Sequence, residues 1–337
     1  MHCRCPQSYP ICLRTNEGFI QEVTMQAQVQ EQVKTGVVTP RQRTWKLALR
    51  QLQAFSFTVP AVVLLAIFLV YPICYVVYLS FQRWNLLGTP TYIGLGNYHT
   101  IFFVDPSFLQ SVGVTVLFVI LAVPTQIALG LLMAILIEEE FRGRTFFRTV
   151  FFIPMVISFV VAGITFEWMF STGANVGIFP QLFANIGIKF PDWQHTNGLW
   201  AMIMIVIMNT WRSAGFSMIL YLAGLQSISP ELYEASQIDG VRNAWQKFWY
   251  ISWPLLAPTT ALLIITNTIG SFQAFDPFFV MTSGGPAGAT TSIIYYIYNT
   301  FTSRTGVASA AATIFLIIVL IITAVQLMVT RRQESYS

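Results

Sequence analysis

Three ionisable residues, Glu167, Arg212 and Asp276, lie inside or at the ends of long apolar runs. Charged groups at membrane depth are costly, and where they occur they face a cavity or a partner. Neutral polar residues accompany them. Asn209 and Ser213 stand four residues apart, as do Asn267, Ser271 and Phe275, so on a helix each set shares one face. Gln273 adds a further donor and acceptor, and Trp211 and Phe275 add aromatic surface. Together these groups suit the reversible holding of a polar molecule. They have alternatives within the chain: any Asn or Ser can bond a neighbouring helix, Arg212 can bridge to Glu167 or Asp276, and the two acids can sit at the water interface, where ionisation is cheap.

Bond-breaking chemistry finds no constellation. The sequence has no Gly-x-x-x-x-Gly-Lys-Ser/Thr phosphate loop, no His-Glu-x-x-His, no Cys-x-x-Cys pair and no Gly-x-Ser-x-Gly. Its histidines, His2, His99 and His195, all fall outside the apolar runs, and His195 reads as a solvated loop residue. An intramembrane enzyme built on Glu167, Asp276 or His195 would lack a paired acid and base within a span. A carrier that moves protons through Glu167 is the alternative that needs no partner.

The elements that hold these residues follow from composition. Hydrophobic residues make up 55% of the chain and charged residues 9%, against about 25% charged in an ordinary globular domain. So few charges cannot cover a soluble surface. The reading is an all-α, polytopic membrane protein. Runs of about 18 or more apolar residues span the hydrocarbon core, and six are present: Phe57 to Phe81, Val112 to Ile137, Phe146 to Phe170, Leu199 to Leu225, Pro258 to Met281 and Val307 to Val329. The third is interrupted by Pro154 and Glu167.

Orientation follows the rule that Lys and Arg beside spans stay cytoplasmic. With the N-terminus inside, the inner flanks hold eleven: Arg41, Arg43, Lys46, Arg50, Arg142, Arg144, Arg148, Arg242, Lys247, Arg331 and Arg332. The outer loops hold three: Arg83, Lys189 and Arg304. Both termini are therefore expected in the cytoplasm. This bias accounts for the net charge of +4 without a nucleic-acid partner. Residues 1–50 read as a polar cytoplasmic tail without an apolar signal segment. Cys3, Cys5 and Cys12 in it are spaced unlike a zinc site. Residues 51–332 form the transmembrane domain, and 333–337 a short C-terminal tail.

Two outer loops, 82–111 and 171–198, are rich in Gly, Asn, Pro and aromatics. They suit either interfacial anchoring or the docking of an external partner. The inner loop at 227–254 carries the most specific pattern. Ser229 is placed to cap a helix, Pro230 suits its first position, and Glu231 and Glu234 suit the positive end of its dipole. Leu232, Ala235 and Ile238 recur on one side. Gly240 is placed to end this helix at positive φ. A second helical stretch with Trp245, Phe248 and Trp249 follows, and Pro254 is expected to end it. The loop should be two short helices joined at a glycine and lying at the membrane face.

The run Glu234-Ala235-Ser236, Asp239-Gly240, Ile251 and Pro254 resembles the EAA loop of permease subunits of binding-protein-dependent ABC importers. Ser236 stands where a second Ala is usual, Trp253 where Leu is usual, and the stretch from Gly240 to Ile251 is one residue longer. Leu222 to Gln226, Ser271 to Asp276, Met281-Thr-Ser-Gly-Gly-Pro286 and the tyrosine-bearing Ile293 to Phe301 are similar to the carbohydrate branch, the MalF/UgpA-type subunit. Asn209-Thr-Trp-Arg212 falls where such permeases contact sugar. The resemblance covers about residues 50–332 and implies a MetI-like ABC permease fold in a bacterial plasma (inner) membrane. It implies ATPase coupling through Glu234, Ala235, Ser236, Asp239 and Gly240. It implies a path for a sugar, oligosaccharide or polyol glycoside lined by Asn209, Trp211, Arg212, Ser213, Asn267, Ser271, Gln273, Phe275 and Asp276. The expected partners are a second, MalG-like permease, an ATPase dimer holding ATP and Mg, an extracytoplasmic solute-binding protein, and membrane lipid. The chain itself is expected to bind no cofactor. A permease for a non-sugar solute remains the alternative within the class.

Overall fold

In the computed structural model, the described residues are 58–139, 141–172 and 176–334. The 1–50 tail with its cysteines and inner-flank cations, Phe57, and the 335–337 end lie outside them. The chain divides into two compact units, residues 1–72 and 73–337. In the first, the described residues belong to helix α1 (Thr58–Leu79), whose apolar side chains from Val59 to Tyr71 are exposed, as lipid-facing residues are.

The second unit is built on a parallel pair of long helices, α3 (Pro106–Glu138) and α7 (Gly198–Gln226). Before α3 come a two-residue hairpin, β1 (Gln82–Arg83) with β2 (Thr91–Tyr92), and a short helix α2 (Gly96–His99). The α3–α7 pairing is close because glycine permits it. A Cβ on Gly130 of α3 would collide with the Ser217 side chain of α7. In lipid, helices associate through such close packing, since burial gains little when the solvent is itself apolar. Thr125 and Thr210 share a hydrogen bond of 3.0 Å across the same seam.

The third predicted span is broken. Helix α4 (Arg144–Val156) and helix α5 (Phe159–Phe170) meet at 99° across Ile157 and Ser158. Pro154 lies in the last turn of α4, where it removes a backbone donor. Gly215 of α7 lets α4 approach: a Cβ there would stand 2.5 Å from the Phe151 carbonyl. Helix α6 (Ile178–Asn185) lies in the loop that follows.

The loop expected as two helices is two helices. They are α8 (Pro230–Ile238) and α9, which runs from Ala244 to Leu255 through a π-helical turn at Phe248–Ser252. A π turn takes up one extra residue, and it lies at Ile251, where the sequence has one residue more than the EAA pattern. Pro254 does not end the helix. The break falls at Leu256, where α9 meets α10 (Ala257–Phe272) at 65°.

The fifth predicted span stops early. Helix α10 ends at Phe272, and Asp276–Met281 is a separate helix, α11. Phe275 therefore does not share the α10 face with Asn267 and Ser271. Two more helices follow, α12 (Ile293–Phe301) and α13 (Thr305–Glu334). Among the described residues, four helices are long and apolar enough to cross a membrane, and six crossings result when each bent pair counts as one.

Three buried clusters hold the unit. One centres on Phe118, Trp193, Ile205, Met208 and Phe278, and a second on Ile137, Tyr221, Leu222, Leu256 and Leu263. The third packs Ile101, Phe108 and Ile293 against Ala310 and Ala311.

Candidate functional site

Helix α8 has no buried residue. Leu232 is 48% and Ile238 89% exposed, so these two stand open, while Tyr233 packs against the second buried cluster. Ser229 has the extended backbone of a cap, but its side chain makes no capping bond, and Pro230 begins the helix. At the other end Gly240 has φ +93°. Its N–H donates to the Gln237 carbonyl at 3.3 Å, and the Val241 N–H donates to the Ser236 carbonyl at 3.0 Å. These are the two bonds of a Schellman end. Ser236 Oγ donates back to the Tyr233 carbonyl at 2.7 Å, so the hydroxyl is occupied within its own helix and the residue presents a surface close to that of alanine.

Tyr233 was not singled out in the sequence, yet it ties the two loop helices. Its hydroxyl meets Ser252 Oγ at 3.1 Å, and the Lys247 ammonium lies 4.0 Å above its ring. Burial pushes the Tyr233 hydroxyl pKa up. Its position four residues before Gln237 gave no signal, because the contact crosses from one helix to the other. Tyr233, Ser236, Gln237, Val241, Arg242 and Lys247 line a notch of about 520 Å³ between α8 and α9.

Arg212 is not bridged to a carboxylate. Its Nε donates to the Ile157 carbonyl at 2.8 Å, and its guanidinium stands 3.5 Å above the Phe159 ring. Both partners flank the break between α4 and α5, so the cation pins the bend in span three and satisfies a carbonyl freed by it. Among the described residues no salt bridge joins Arg212 to Asp276 or Glu167. Trp211 next to it is 40% exposed and lies tilted against the Phe166 ring, with centroids 5.3 Å apart.

Asn267 donates to Ser217 Oγ at 3.1 Å, joining α10 to α7. Asn209 and Ser271, each 4% exposed, make no side-chain hydrogen bond among the described residues, and Ser213 is half-buried. Gln273 is exposed and Asp276 half-buried at the α10–α11 break. Phe275 lies there too, in an aromatic group with Phe279 (5.2 Å), Tyr298 (5.1 Å) and Tyr295 (6.2 Å). Glu167 is half-buried on α5. His195 is exposed and pairs with Asp192 at 3.1 Å.

The end of the unit opposite α8 is fixed by polar ties. Asp105 caps α3 and accepts from Arg304 at 2.9 Å and from the Tyr296 hydroxyl at 3.0 Å. Burial alone would raise the Asp105 carboxyl, but donors from Tyr296, Arg304 and Ser107 outweigh it and hold the group below its ordinary value. Burial and the adjacent carboxylate push Tyr296 up to about 12. The Gly-Gly-Pro segment bends sharply nearby, with Gly284 at φ +80° against the Tyr295 ring. The Tyr295 hydroxyl donates to the Ser283 carbonyl.

Broken spans, polar groups at the breaks and an exposed two-helix loop define a helical membrane permease. Residues 126–335 match the family described as the binding-protein-dependent transport system inner membrane component, and the chain belongs to it. It is a multi-pass inner-membrane transport subunit of an ABC importer, not an enzyme. It is 35% identical over 284 residues to the sn-glycerol-3-phosphate transport system permease protein UgpA of Brucella suis, covering 82% of this chain and 94% of that one. To the lactose transport system permease protein LacF of Rhizobium radiobacter it is 37% identical over 252 residues, 72% of this chain and 81% of that one. Among solved structures it resembles a bacterial alginate ABC transporter crystallised with an alginate pentasaccharide-bound periplasmic protein. The TM-score is 0.75 at 25% identity, over 86% of this chain and 98% of that one.

Proposed function

We propose that this chain forms half of the path of an ATP-driven importer for a sugar, oligosaccharide or polyol glycoside. The observation that carries the reading is α8, a helix with no buried residue, ended by a Schellman motif and stapled to α9 through Tyr233. A helix held by Tyr233 and open at Leu232, Ala235 and Ile238 is built to pack on another chain. Glu234, Ala235, Ser236, Asp239 and Gly240 form its partner surface, and the partner is one subunit of a cytoplasmic ATPase dimer carrying ATP and Mg. Closure of that dimer on ATP moves α8, and Tyr233 passes the motion to α9 and so to α10. Both termini are then cytoplasmic, residues 51–332 are the permease domain, and the end bearing Asp105 and Gly284 faces a solute-binding protein outside.

The path residues divide by role. Asn209, Ser213, Ser271, Gln273 and Asp276 offer hydrogen bonds to hydroxyl groups, and Trp211 and Phe275 offer aromatic faces to the C–H side of a sugar ring. Arg212 and Asn267 shape the wall by holding the span-three break and the α7–α10 seam. A second, MalG-like permease supplies the other half. The relatives' names, sn-glycerol-3-phosphate and lactose among them, support a sugar or glycerol conjugate. The test is reconstitution with the ATPase, the second permease and the binding protein in proteoliposomes. ATP-dependent uptake of the glycoside held by the binding protein is expected. Uptake by this chain alone, driven by a proton gradient, would replace the reading with a stand-alone carrier.

A further inference from the structure

The two loop helices differ in a way that the coupling role of α8 does not explain. From Pro230 to Asp239 the chain carries three acids, Glu231, Glu234 and Asp239, and no base. From Gly240 to Leu256 it carries Arg242 and Lys247 and no acid. Three tryptophans in that second stretch recur every four residues, and their rings form one contiguous strip. Trp245 meets Trp249 at 5.5 Å and Trp249 meets Trp253 at 5.8 Å, with Phe248 against both Trp249 and Trp253. The strip is open: Trp245 is 70%, Trp249 43% and Trp253 37% exposed.

The direction of α9 gives the strip its occupant. It meets α10 at 65°. A spanning helix stands within a few tens of degrees of the bilayer normal, so a helix bent from it by this much is turned away from the spanning direction. Further exposed apolar side chains follow at Leu255 and, on α10, at Leu262 and Ile264. Tryptophan prefers the headgroup layer, and basic residues beside it favour anionic lipid. The acids of α8 oppose the same contact.

We propose that α9 is a lipid anchor lying in the headgroup layer of the cytoplasmic leaflet, with its tryptophan strip against the acyl boundary and Arg242 beside anionic headgroups, while Lys247 holds the ring of Tyr233. Only α8 then projects into water. The link between them, Gly240, has no heavy atom within 4 Å of where a Cβ would be, so the joint is free of packing. The anchor is a fulcrum: a push on α8, passed through Tyr233, turns α9 about its lipid-held axis and so moves α10, rather than displacing the whole loop. The lipid contact itself does not require the ATPase reading, and the experiment separates the two.

The test uses the full chain with Cys3, Cys5, Cys12 and Cys74 replaced by serine, in nanodiscs containing phosphatidylglycerol. Spin labels are placed by Trp245→Cys or Trp249→Cys, and by Glu234→Cys on α8. Collision with oxygen and with a water-soluble nickel chelate is measured with and without the ATPase. The expected result at 245 and 249 is high oxygen and low nickel accessibility, at headgroup depth, unchanged by the ATPase. Nickel accessibility at both positions without the ATPase would overturn the anchor. So would protection at both that appears only on adding the ATPase, which would make the strip a protein interface. Protection at 234 on adding the ATPase reports the coupling reading by itself. Two reporter positions on α9 guard against loss of the fold in one variant.

Discussion

Gly240 offers the sharpest test of how the loop works. Its φ of +93° is reached at little cost only by glycine, and a left-handed conformation costs another L-residue about 1–2 kcal/mol. Nothing lies within 4 Å of its missing Cβ, so Gly240→Ala adds no collision and the whole effect is conformational. One to two kcal/mol corresponds to a factor of about 5–30 in an equilibrium constant. The Schellman geometry that sets the angle between α8 and α9 should become less populated by that factor. Gly240→Asn, which tolerates the left-handed region better, should fall between glycine and alanine. Gly240→Pro should be the worst, because proline fixes φ near −65° and removes the N–H that donates to Gln237. Since α8 has no fully buried residue and its packed side chain, Tyr233, is left in place, thermal unfolding of the purified chain should stay close to the parent for Ala and Asn. The assay is ATP hydrolysis stimulated by the loaded binding protein, together with uptake, in proteoliposomes. The order Gly, Asn, Ala, Pro in coupled activity with unchanged melting is expected. Equal coupled activity for all four would refute the reasoning, and so would losses that track melting temperature.

Arg212→Met should leave stability nearly unchanged. The lost charged hydrogen bond (about 1.5–3 kcal/mol) and cation–π contact (about 0.5–2 kcal/mol) are offset by no longer holding an ion in the span, about 2.5–3.5 kcal/mol. Uptake should nevertheless fall, because the span-three break loses its pin; a melting curve and an uptake rate on one preparation check both. Gly215→Ala places a methyl against the Phe151 carbonyl, which as backbone cannot swing aside, and should destabilise by about 1–3 kcal/mol in a denaturation series. Asn267→Ala removes one interhelical bond, worth about 0.6 kcal/mol in membrane proteins; uptake near the parent level is expected if its role is the seam with Ser217, and a large rise in KM at intact stability would place it on the solute. The tie at the Asp105 end sets the pH limits. Asp105 is depressed on folding, so its contribution is present above the ordinary value of 3.8 and is lost as pH falls through the lower folded value. Tyr296 is raised from 10.0 to about 12, so its contribution is full below pH 10 and is lost between there and about 12. Melting temperature against pH should show both edges, and Tyr296→Phe should weaken the alkaline one, leaving the part that the raised Tyr233 hydroxyl contributes.

The membrane class, the family and the two-helix form of the loop were legible in the linear chain, because each rests on signals local in sequence. Apolar run length is set by bilayer thickness, charge by side, and the end of α8 by a single glycine that must adopt positive φ. Even the extra residue before Ile251 was visible, though not that a π turn would absorb it. The partners of the polar groups in the spans were not legible. Arg212 read as a path residue or as half of an ion pair with an acid, yet it takes the Ile157 carbonyl, because a 99° break 55 residues earlier exposes an acceptor whose position no spacing announces. Phe275 read as one face with Asn267 and Ser271 until α10 ended three residues too soon for it. Tyr233 read as ordinary until α9 folded back to meet it. A helix face follows from sequence alone because hydrogen bonds three and four residues apart fix it. Where a span breaks, and which side chain fills the break, depends on how closely the neighbouring helices can approach, and that is decided only when Gly130 and Gly215 bring α3, α4 and α7 together. The sequence thus named the class and the two-helix loop, and the tertiary structure decided which polar residues of the spans tie helices together, as Arg212 and Asn267 do.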